Sequence, residues 1–161
     1  MDALKLLETQ HDEVDALFAR IEAADDIATK AELFEELADK LAAHAKIEET
    51  QFYPAVLASK TRDLIVESTE EHLQIKRVLA DLLELDPEDD RFDAKLKVMK
   101  EEVTHHARKE EEGELFPKVK KLLSSDMLEA LGAEMELQFE ELLEGAPRRS
   151  VPAETGRAAS V

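Results

Sequence analysis

The chain of 161 residues contains no cysteine and no tryptophan, and it has only four glycines, five prolines and one tyrosine. The lack of cysteine excludes disulfides, thiolate metal ligands and thiol nucleophiles, and it fits a reducing intracellular compartment. Alanine, leucine, glutamate and lysine dominate instead, and all four favour helices. The composition therefore predicts an all-α protein with long helices and short connections.

Positive charge is also scarce, since 21 lysines and arginines face 39 aspartates and glutamates, for a net charge of −18. This charge repels phosphate backbones and anionic lipid surfaces, so we expect no nucleic-acid partner and no membrane partner. The chain has no apolar run near the ~18 residues that span a bilayer. Its first residues are charged and lack the apolar core of a signal peptide, so we expect a cytoplasmic protein.

Interruptions in the helical pattern divide the chain into four long helices and a shorter fifth one. The predicted helices cover residues 2–23, 28–58, 61–85, 91–123 and 126–144. Long helices with short links favour an antiparallel, up-down-up-down four-helix bundle. We assign the bundle to residues 1–123, a short C-terminal helix to 124–145 and a flexible tail to 146–161, because the tail is small and polar.

Two segments of the chain resemble each other, HAKIEETQFYP at 44–54 and THHARKEEEGELFP at 104–117. Each contains a histidine, a glutamate four residues later, a phenylalanine and a proline. The repetition favours a bundle made of two similar helical hairpins. It also raises the question of why a small acidic protein needs this pattern twice.

Each of the four long helices places one histidine on its apolar stripe, and the second and fourth helices add a glutamate one turn later. His105 lies at the flank of its stripe. At ~1.5 Å per residue, antiparallel packing brings the stripe residues to the same depth within about one turn. We expect six polar side chains to meet in one layer: His11, His44, Glu48, His72, His106 and Glu110.

Such a layer needs positive charge, because burying an unpaired carboxylate costs several kcal/mol. No lysine or arginine lies on these stripes near the layer. Imidazole nitrogen and carboxylate oxygen suit iron, manganese or zinc, and two carboxylates can bridge two divalent ions. A single histidine could be a hydrogen-bonded core residue, and a single His/Glu pair could lie on a helix surface. All six together favour a metal centre.

The order of these residues, with the flanking LAAHAKIEETQFYP and THHARKEEEGELFPKV, resembles the hemerythrin-like HHE cation-binding domain over residues 3–123. The resemblance implies a left-handed four-helix bundle around a non-haem di-iron centre. Its relatives bind O₂ reversibly or act in oxygen, iron, nitric oxide or redox sensing. It implies that the histidines are iron ligands and the glutamates bridge: His11, His44, His72 and His106, with Glu48 and Glu110.

The sequence departs from this family at two points. Oxygen-carrying hemerythrins have a second histidine four residues after the ligand of the third helix, where this chain has Lys76. In addition, the second repeat is one residue longer between its histidine and its proline, as a π-bulge would require. Counting from His106 selects Glu110 as the ligand, whereas counting back from Pro117 selects Glu111. We assign Glu110 and keep Glu111 as the alternative, with His105 as a group just outside the layer.

Three functions compete at this point. The first is a di-iron module that binds or senses O₂, a related small ligand or the redox state, and that needs a partner protein to act as a sensor. The second is a di-iron oxidase, a peroxidase or an iron-handling enzyme. The third is a structural bundle whose polar layer holds water or a lone zinc ion.

Overall fold

A computed structural model describes the whole chain, from Met1 to Val161. It is helical throughout and contains no strand, so the all-α prediction is confirmed. The long helices are α1 (Ala3–Ala23), α2 (Ile27–Ile47), α4 (Arg62–Glu84), α5 (Asp90–Thr104) and α7 (Ser125–Glu144). None of these helices combines the length and the apolarity needed to cross a membrane.

Two of the long helices continue through π-helical segments. Helix α2 passes into π1 (Glu48–Phe52) and then α3 (Tyr53–Val56), and α5 passes into π2 (His105–Leu115) and then α6 (Phe116–Leu122). The hydrogen bonds span five residues, as when the Phe116 N–H donates to the Glu111 carbonyl. The π distortion expected in the second repeat is confirmed. The first repeat contains one too, which its sequence did not reveal.

Short polar side chains set where helices begin. The Asp26 carboxylate accepts from the Thr29 N–H at 2.8 Å, and the Ser124 hydroxyl accepts from the Met127 N–H at 3.3 Å. Both bonds satisfy an N–H that the first helical turn leaves free. These caps fix the starts of α2 and α7 close to the predicted positions.

Surface ion pairs link the long helices and fit antiparallel packing between them. In α1–α2 and α4–α5, the paired residues lie at similar distances from the connecting loop, as antiparallel neighbours require. The pairs are Lys40–Glu13 between α2 and α1 (2.7 Å), Lys95–Asp81 between α5 and α4 (3.1 Å) and Lys100–Glu22 between α5 and α1 (2.9 Å). The up-down-up-down order remains our interpretation of these contacts.

The apolar core is divided into two clusters. One cluster lies toward the α1–α2 and α4–α5 links and includes Phe18, Phe34 and Phe92. The other includes Phe52 and Phe116 and extends to α7. The buried polar side chains of the bundle lie between them, so apolar packing seals that layer from both ends.

The structure differs from the prediction at the C-terminus. Residues 146–161 were predicted as a flexible tail, but Pro147–Glu154 form a 3-10 helix that packs against α2 and α4. Val151 is 1% exposed within the first apolar cluster. Arg148 binds Asp39 at 2.6 Å and Glu154 binds Lys46 at 2.7 Å. One apolar residue in a polar segment produces no periodic signal, and its ion pairs depend on tertiary structure.

Gly132 provides a test of how α7 docks. A Cβ at this position would lie 2.3 Å from the Met1 carbonyl oxygen, so the N-terminus approaches α7 too closely for a side chain. Alanine normally stabilises a helix interior by about 1 kcal/mol over glycine. We expect Gly132→Ala to lower the melting temperature instead, measured by circular dichroism.

Gly156→Ala is the matched control, because a Cβ there meets nothing within 4 Å. We expect this variant to melt like the wild type. A Gly132→Ala variant that melts at or above the wild-type temperature would contradict the close packing of α7.

Candidate metal centre

Six buried polar side chains form one layer between the two apolar clusters. They come from α1, α2, π1, α4 and π2, and none is more than 9% exposed. Glu48 and Glu111 have no exposed surface. The members of the layer are His11, His44, Glu48, His72, His106 and Glu111. The structure therefore brings together five of the six predicted residues, with Glu111 in place of Glu110.

The layer divides into two groups that share both carboxylates. His11 and His44 form one group with Glu48 and Glu111, and His72 and His106 form the other. Within each group, one ligand atom from each residue lies within 4.8 Å of the others. Two positions with shared carboxylates are what a pair of bridged divalent ions needs.

All four imidazoles turn the same ring nitrogen, Nε2, toward these carboxylates. The Nε2–oxygen distances are 3.1 Å from His44 to Glu48, 2.9 Å from His72 to Glu48, 2.7 Å from His106 to Glu111 and 3.5 Å from His11 to Glu111. His72 and His106 also approach each other, with their Nε2 atoms 3.0 Å apart. Four nitrogen donors and two carboxylates thus converge on one small volume.

The other ring nitrogen, Nδ1, of every histidine binds an oxygen outside the layer. A carboxylate or an amide oxygen can only accept, so Nδ1 carries a proton and donates it. The acceptors are Glu112 for His11 (2.7 Å), Gln10 for His44 (2.7 Å), Glu49 for His72 (3.0 Å) and Glu71 for His106 (2.9 Å). This bond aims Nε2 inward, where it can hold a proton or offer its lone pair to a metal ion, as in metal-binding histidines generally.

Basic side chains hold two of these acceptors in place. Lys76 donates to both oxygens of Glu49, at 2.8 and 2.9 Å. Arg108 donates to Glu112 at 2.6 Å and also binds two aspartates of α1. Lys76 therefore contributes no ligand to the layer, but it orients His72 through Glu49.

The carboxylates and imidazoles of the layer shift one another's pKa values. Burial raises the pKa of the Glu48 carboxyl, but the imidazoles of His44, His106 and His72 outweigh burial and hold this pKa well below its usual range. Burial lowers the pKa of His106, but the Glu111 carboxylate outweighs it and raises that pKa well above its usual range. The buried carboxylates are thus ionised and demand positive charge, which protons or a cation can supply.

Three polar atoms in the layer are buried without a hydrogen bond: His11 Nε2, Glu48 Oε1 and Glu111 Oε2. An unsatisfied buried polar group costs about 1–3 kcal/mol. All three atoms belong to the same group of potential ligands. A metal ion would use these nitrogen and oxygen atoms together, so the residues present fit a metal ion.

The place of Glu111 corrects the assignment of Glu110. Segment π2 begins at His105, and in a π-helix the next turn places a residue five positions on, rather than four, above the first. Glu111 therefore lies beside His106. Glu110 faces away from the layer, with its oxygen 3.1 Å from His105 Nε2. The distance to Pro117 was the sequence signal that favoured Glu111. Metal ligation by any of these residues stays a prediction.

Sequence reasoning did not place Tyr53 in the site. Its hydroxyl donates to Glu111 at 2.7 Å and lies 3.2 Å from His72 Nε2. Burial and the nearby carboxylates of Glu111 and Glu48 raise the pKa of Tyr53 well above its usual range, so the hydroxyl keeps its proton. Tyr53 is five residues after Glu48, and segment π1 brings the two side chains to one face.

Glu111 and Glu110 allow a matched comparison, since glutamine removes the same charge from neighbouring positions. We expect Glu111→Gln to weaken metal retention by at least about 10-fold, because a ligand is lost from both groups. Glu110→Gln should retain the tightly held metal. Metal would be counted per chain after gel filtration with a weak chelator. Equal retention by both variants would argue against the layer assigned here.

Known proteins with a cation-binding helical domain are similar to this chain in sequence and in fold. A family model, the hemerythrin HHE cation-binding domain, matches residues 2–119. A crystal structure of a hemerythrin HHE cation-binding domain-containing protein from Mycobacterium kansasii is similar, with a TM-score of 0.79 and 26% identity. The match covers 93% of this chain and 99% of that one.

A DNA nickase from Nostoc sp. is 27% identical over 134 residues, which is 83% of this chain. The chain spans 38% of the length of this relative. The family model covers the four-helix region and both repeats, including every residue of the layer. The chain therefore belongs to the hemerythrin HHE cation-binding domain family.

Proposed function

We propose that the protein holds two iron ions in the buried layer and uses them to bind or sense O₂, a related small ligand or the redox state. The observation that carries this proposal is the orientation of four imidazole Nε2 atoms toward two shared carboxylates. Each imidazole is fixed by a hydrogen bond from its Nδ1. Manganese and zinc suit the same donors, so the metal must be measured.

The side chains divide into two sets of ligands for this proposal. His11 and His44 would hold one ion, His72 and His106 the other, and Glu48 and Glu111 would bridge them. A bound di-iron pair supplies the reversible electron transfer on which dioxygen binding depends. Each ion would have only two imidazoles, because each group contains two histidines and Lys76 binds Glu49 instead of reaching the layer. Positions without a protein ligand leave room for a small exogenous molecule.

A cavity of about 40 Å³ lies against the layer, and its small volume supports the proposal that the ligand is small. This volume exceeds the ~10–15 Å³ that a cavity needs to hold one water molecule, so the space suits a ligand of only a few atoms. The four histidines of the layer line it, with Asp15 and Lys76 and a majority of apolar side chains that include Val14, Leu41, Ile75, Leu79, Val103 and Val151. The apolar part of this wall favours a small uncharged ligand, such as a diatomic molecule, next to the imidazoles.

Tyr53 and the outer acceptors keep protons at defined atoms around the layer. The Tyr53 hydroxyl donates to Glu111 from the side of the second apolar cluster, away from the cavity. The imidazole Nδ1 protons remain with their acceptors outside the layer. These bonds orient the Nε2 atoms and hold Glu111, and apolar packing excludes bulk water.

Open ligand positions also favour a second candidate, a di-iron oxidase, a peroxidase or an iron-handling enzyme. Repeated turnover with peroxide or Fe²⁺ would distinguish this enzyme from a module that reacts once per centre. As a sensor, the protein would act through a partner protein. The DNA nickase activity of the Nostoc relative stays outside the proposal, because a net charge of −18 opposes contact with DNA.

The first test is metal content combined with the response to oxygen. After expression in iron-replete cells, we expect about two irons per chain, the number that two groups with shared carboxylates would hold. Anaerobic reduction followed by oxygen should produce near-ultraviolet oxo-bridge bands. Chelation should lower the melting temperature, because bound metal stabilises the fold. The control is the His44→Ala, Glu48→Ala double variant, whose melting temperature should be the same with and without the chelator. Absence of metal, or one zinc without a response to oxygen, would refute the proposal.

The cavity wall gives a second test. Val151→Phe should fill the cavity and slow the oxidation of the ferrous protein by O₂ several-fold, whereas Val151→Ala should widen it and speed the reaction. Metal content should stay unchanged in both, because Val151 is no ligand. The reaction would be followed by stopped-flow absorbance.

Val98→Ala is the matched control, since Val98 is 48% exposed and lies away from the cavity. It should react at the wild-type rate. If both Val151 variants also react at that rate, the cavity is not the ligand site.

A further inference from the structure

A third group of potential ligands lies outside the buried layer, on the surface where α4 faces π2. Its members are His105, Glu71 and Glu110, whose ligand atoms lie within 4.8 Å of one another. His105 Nε2 is 3.1 Å from a Glu110 oxygen and 3.8 Å from a Glu71 oxygen. The His105 side chain is about half exposed, so the group opens to solvent.

The π-helical geometry explains how this group arises. His106 and Glu111 are five residues apart and face inward, with 2.7 Å between Nε2 and the carboxylate. His105 and Glu110 are also five residues apart and pair in the same way on the adjacent face. The consecutive histidines and glutamates of the second repeat thus supply two faces of one π-helix.

The two glutamates of this group have only histidines as partners and no lysine or arginine. Glu110 is 9% exposed, makes no hydrogen bond, and has His105 as its one charged neighbour within 4.0 Å. No lysine or arginine approaches Glu71 or Glu110 within that distance. The Glu110 carboxylate also raises the pKa of nearby Glu67, with burial and Glu71 adding to the effect. A largely buried carboxylate that has only one imidazole beside it is poorly compensated, and a bound cation would stabilise it.

We propose that His105, Glu71 and Glu110 bind a further divalent transition-metal ion at the surface, separate from the buried pair. The donor set is one imidazole nitrogen and two carboxylate oxygens, which suits Fe²⁺, Mn²⁺ or Zn²⁺ and disfavours Mg²⁺ and Ca²⁺. Solvent reaches the site beside His105, so its ion exchanges faster than the buried ones.

Glu71 links this site to the buried layer. One of its oxygens accepts from His106 Nδ1 at 2.9 Å, and the other faces His105 Nε2. A cation at the surface would therefore be separated from His106, a member of the buried layer, only by the Glu71 carboxylate. We assign the surface site the role of a loading position for the buried layer. This role rests on the proposed function, whereas ion binding at the surface site is independent of it.

The test is calorimetric titration of the metal-free protein with Zn²⁺. The wild type should take up about three ions per chain, one for each of the three ligand groups. His105→Ala and Glu110→Gln should each lose one ion and keep the buried pair. Glu111→Gln should keep the surface ion while the buried groups weaken. Glu114→Gln is the matched control, because it removes one charge from the same exposed region without touching the three ligands, and it should bind like the wild type.

Unchanged stoichiometry and affinity in both His105→Ala and Glu110→Gln would overturn the surface site. A wild type that binds one ion, lost in His105→Ala, would confirm the surface site and refute the buried pair. For the loading role, mixing with Fe²⁺ should fill the buried layer several-fold more slowly in His105→Ala than in Glu114→Gln. Equal filling rates would reject that role.

Discussion

The structure depends on the attraction between two fully buried carboxylates and the four imidazoles that face them. Glu48 and Glu111 could not remain ionised in an apolar core without this partnership. The partnership also fixes the imidazoles, because each ring must present Nε2 inward and send its Nδ1 proton outward. The four helices therefore need a polar acceptor behind every histidine, and Gln10, Glu49, Glu71 and Glu112 fill that need.

The charges alternate in shells around this layer. Carboxylates lie at the centre, and imidazoles surround them. Acidic or amide acceptors form the next shell, and Lys76 and Arg108 bind two of these acceptors from outside. Each shell stabilises the protonation state of the next one. Gln10, behind His44, is uncharged and needs no such partner. Of the three carboxylate acceptors, Glu71 behind His106 has no lysine or arginine within 4.0 Å, only His105. This acceptor, on the face between α4 and π2, is thus the least neutralised of the three.

Local rules predicted the helices and the histidines well, because apolar periodicity and capping act over a few residues. They failed where the helical period changed. Counting four residues selects Glu110, whereas the i→i+5 hydrogen bonds of π2 bring Glu111 beside His106. A regular helical count likewise does not place Tyr53 beside Glu48, five residues earlier in the chain. The C-terminal 3-10 helix was also missed, because Val151 and Arg148 find their partners on α2 and α4, far away in sequence. These contacts exist only in the folded chain.

The same 3-10 helix has a consequence for synthesis. The family domain ends at residue 119, yet Val151 forms part of the wall of the cavity beside the histidines. A ribosome makes the chain from the N-terminus, so every residue of the layer is translated before Val151. A chain shorter than 151 residues therefore lacks the valine that covers this side of the cavity beside the histidines.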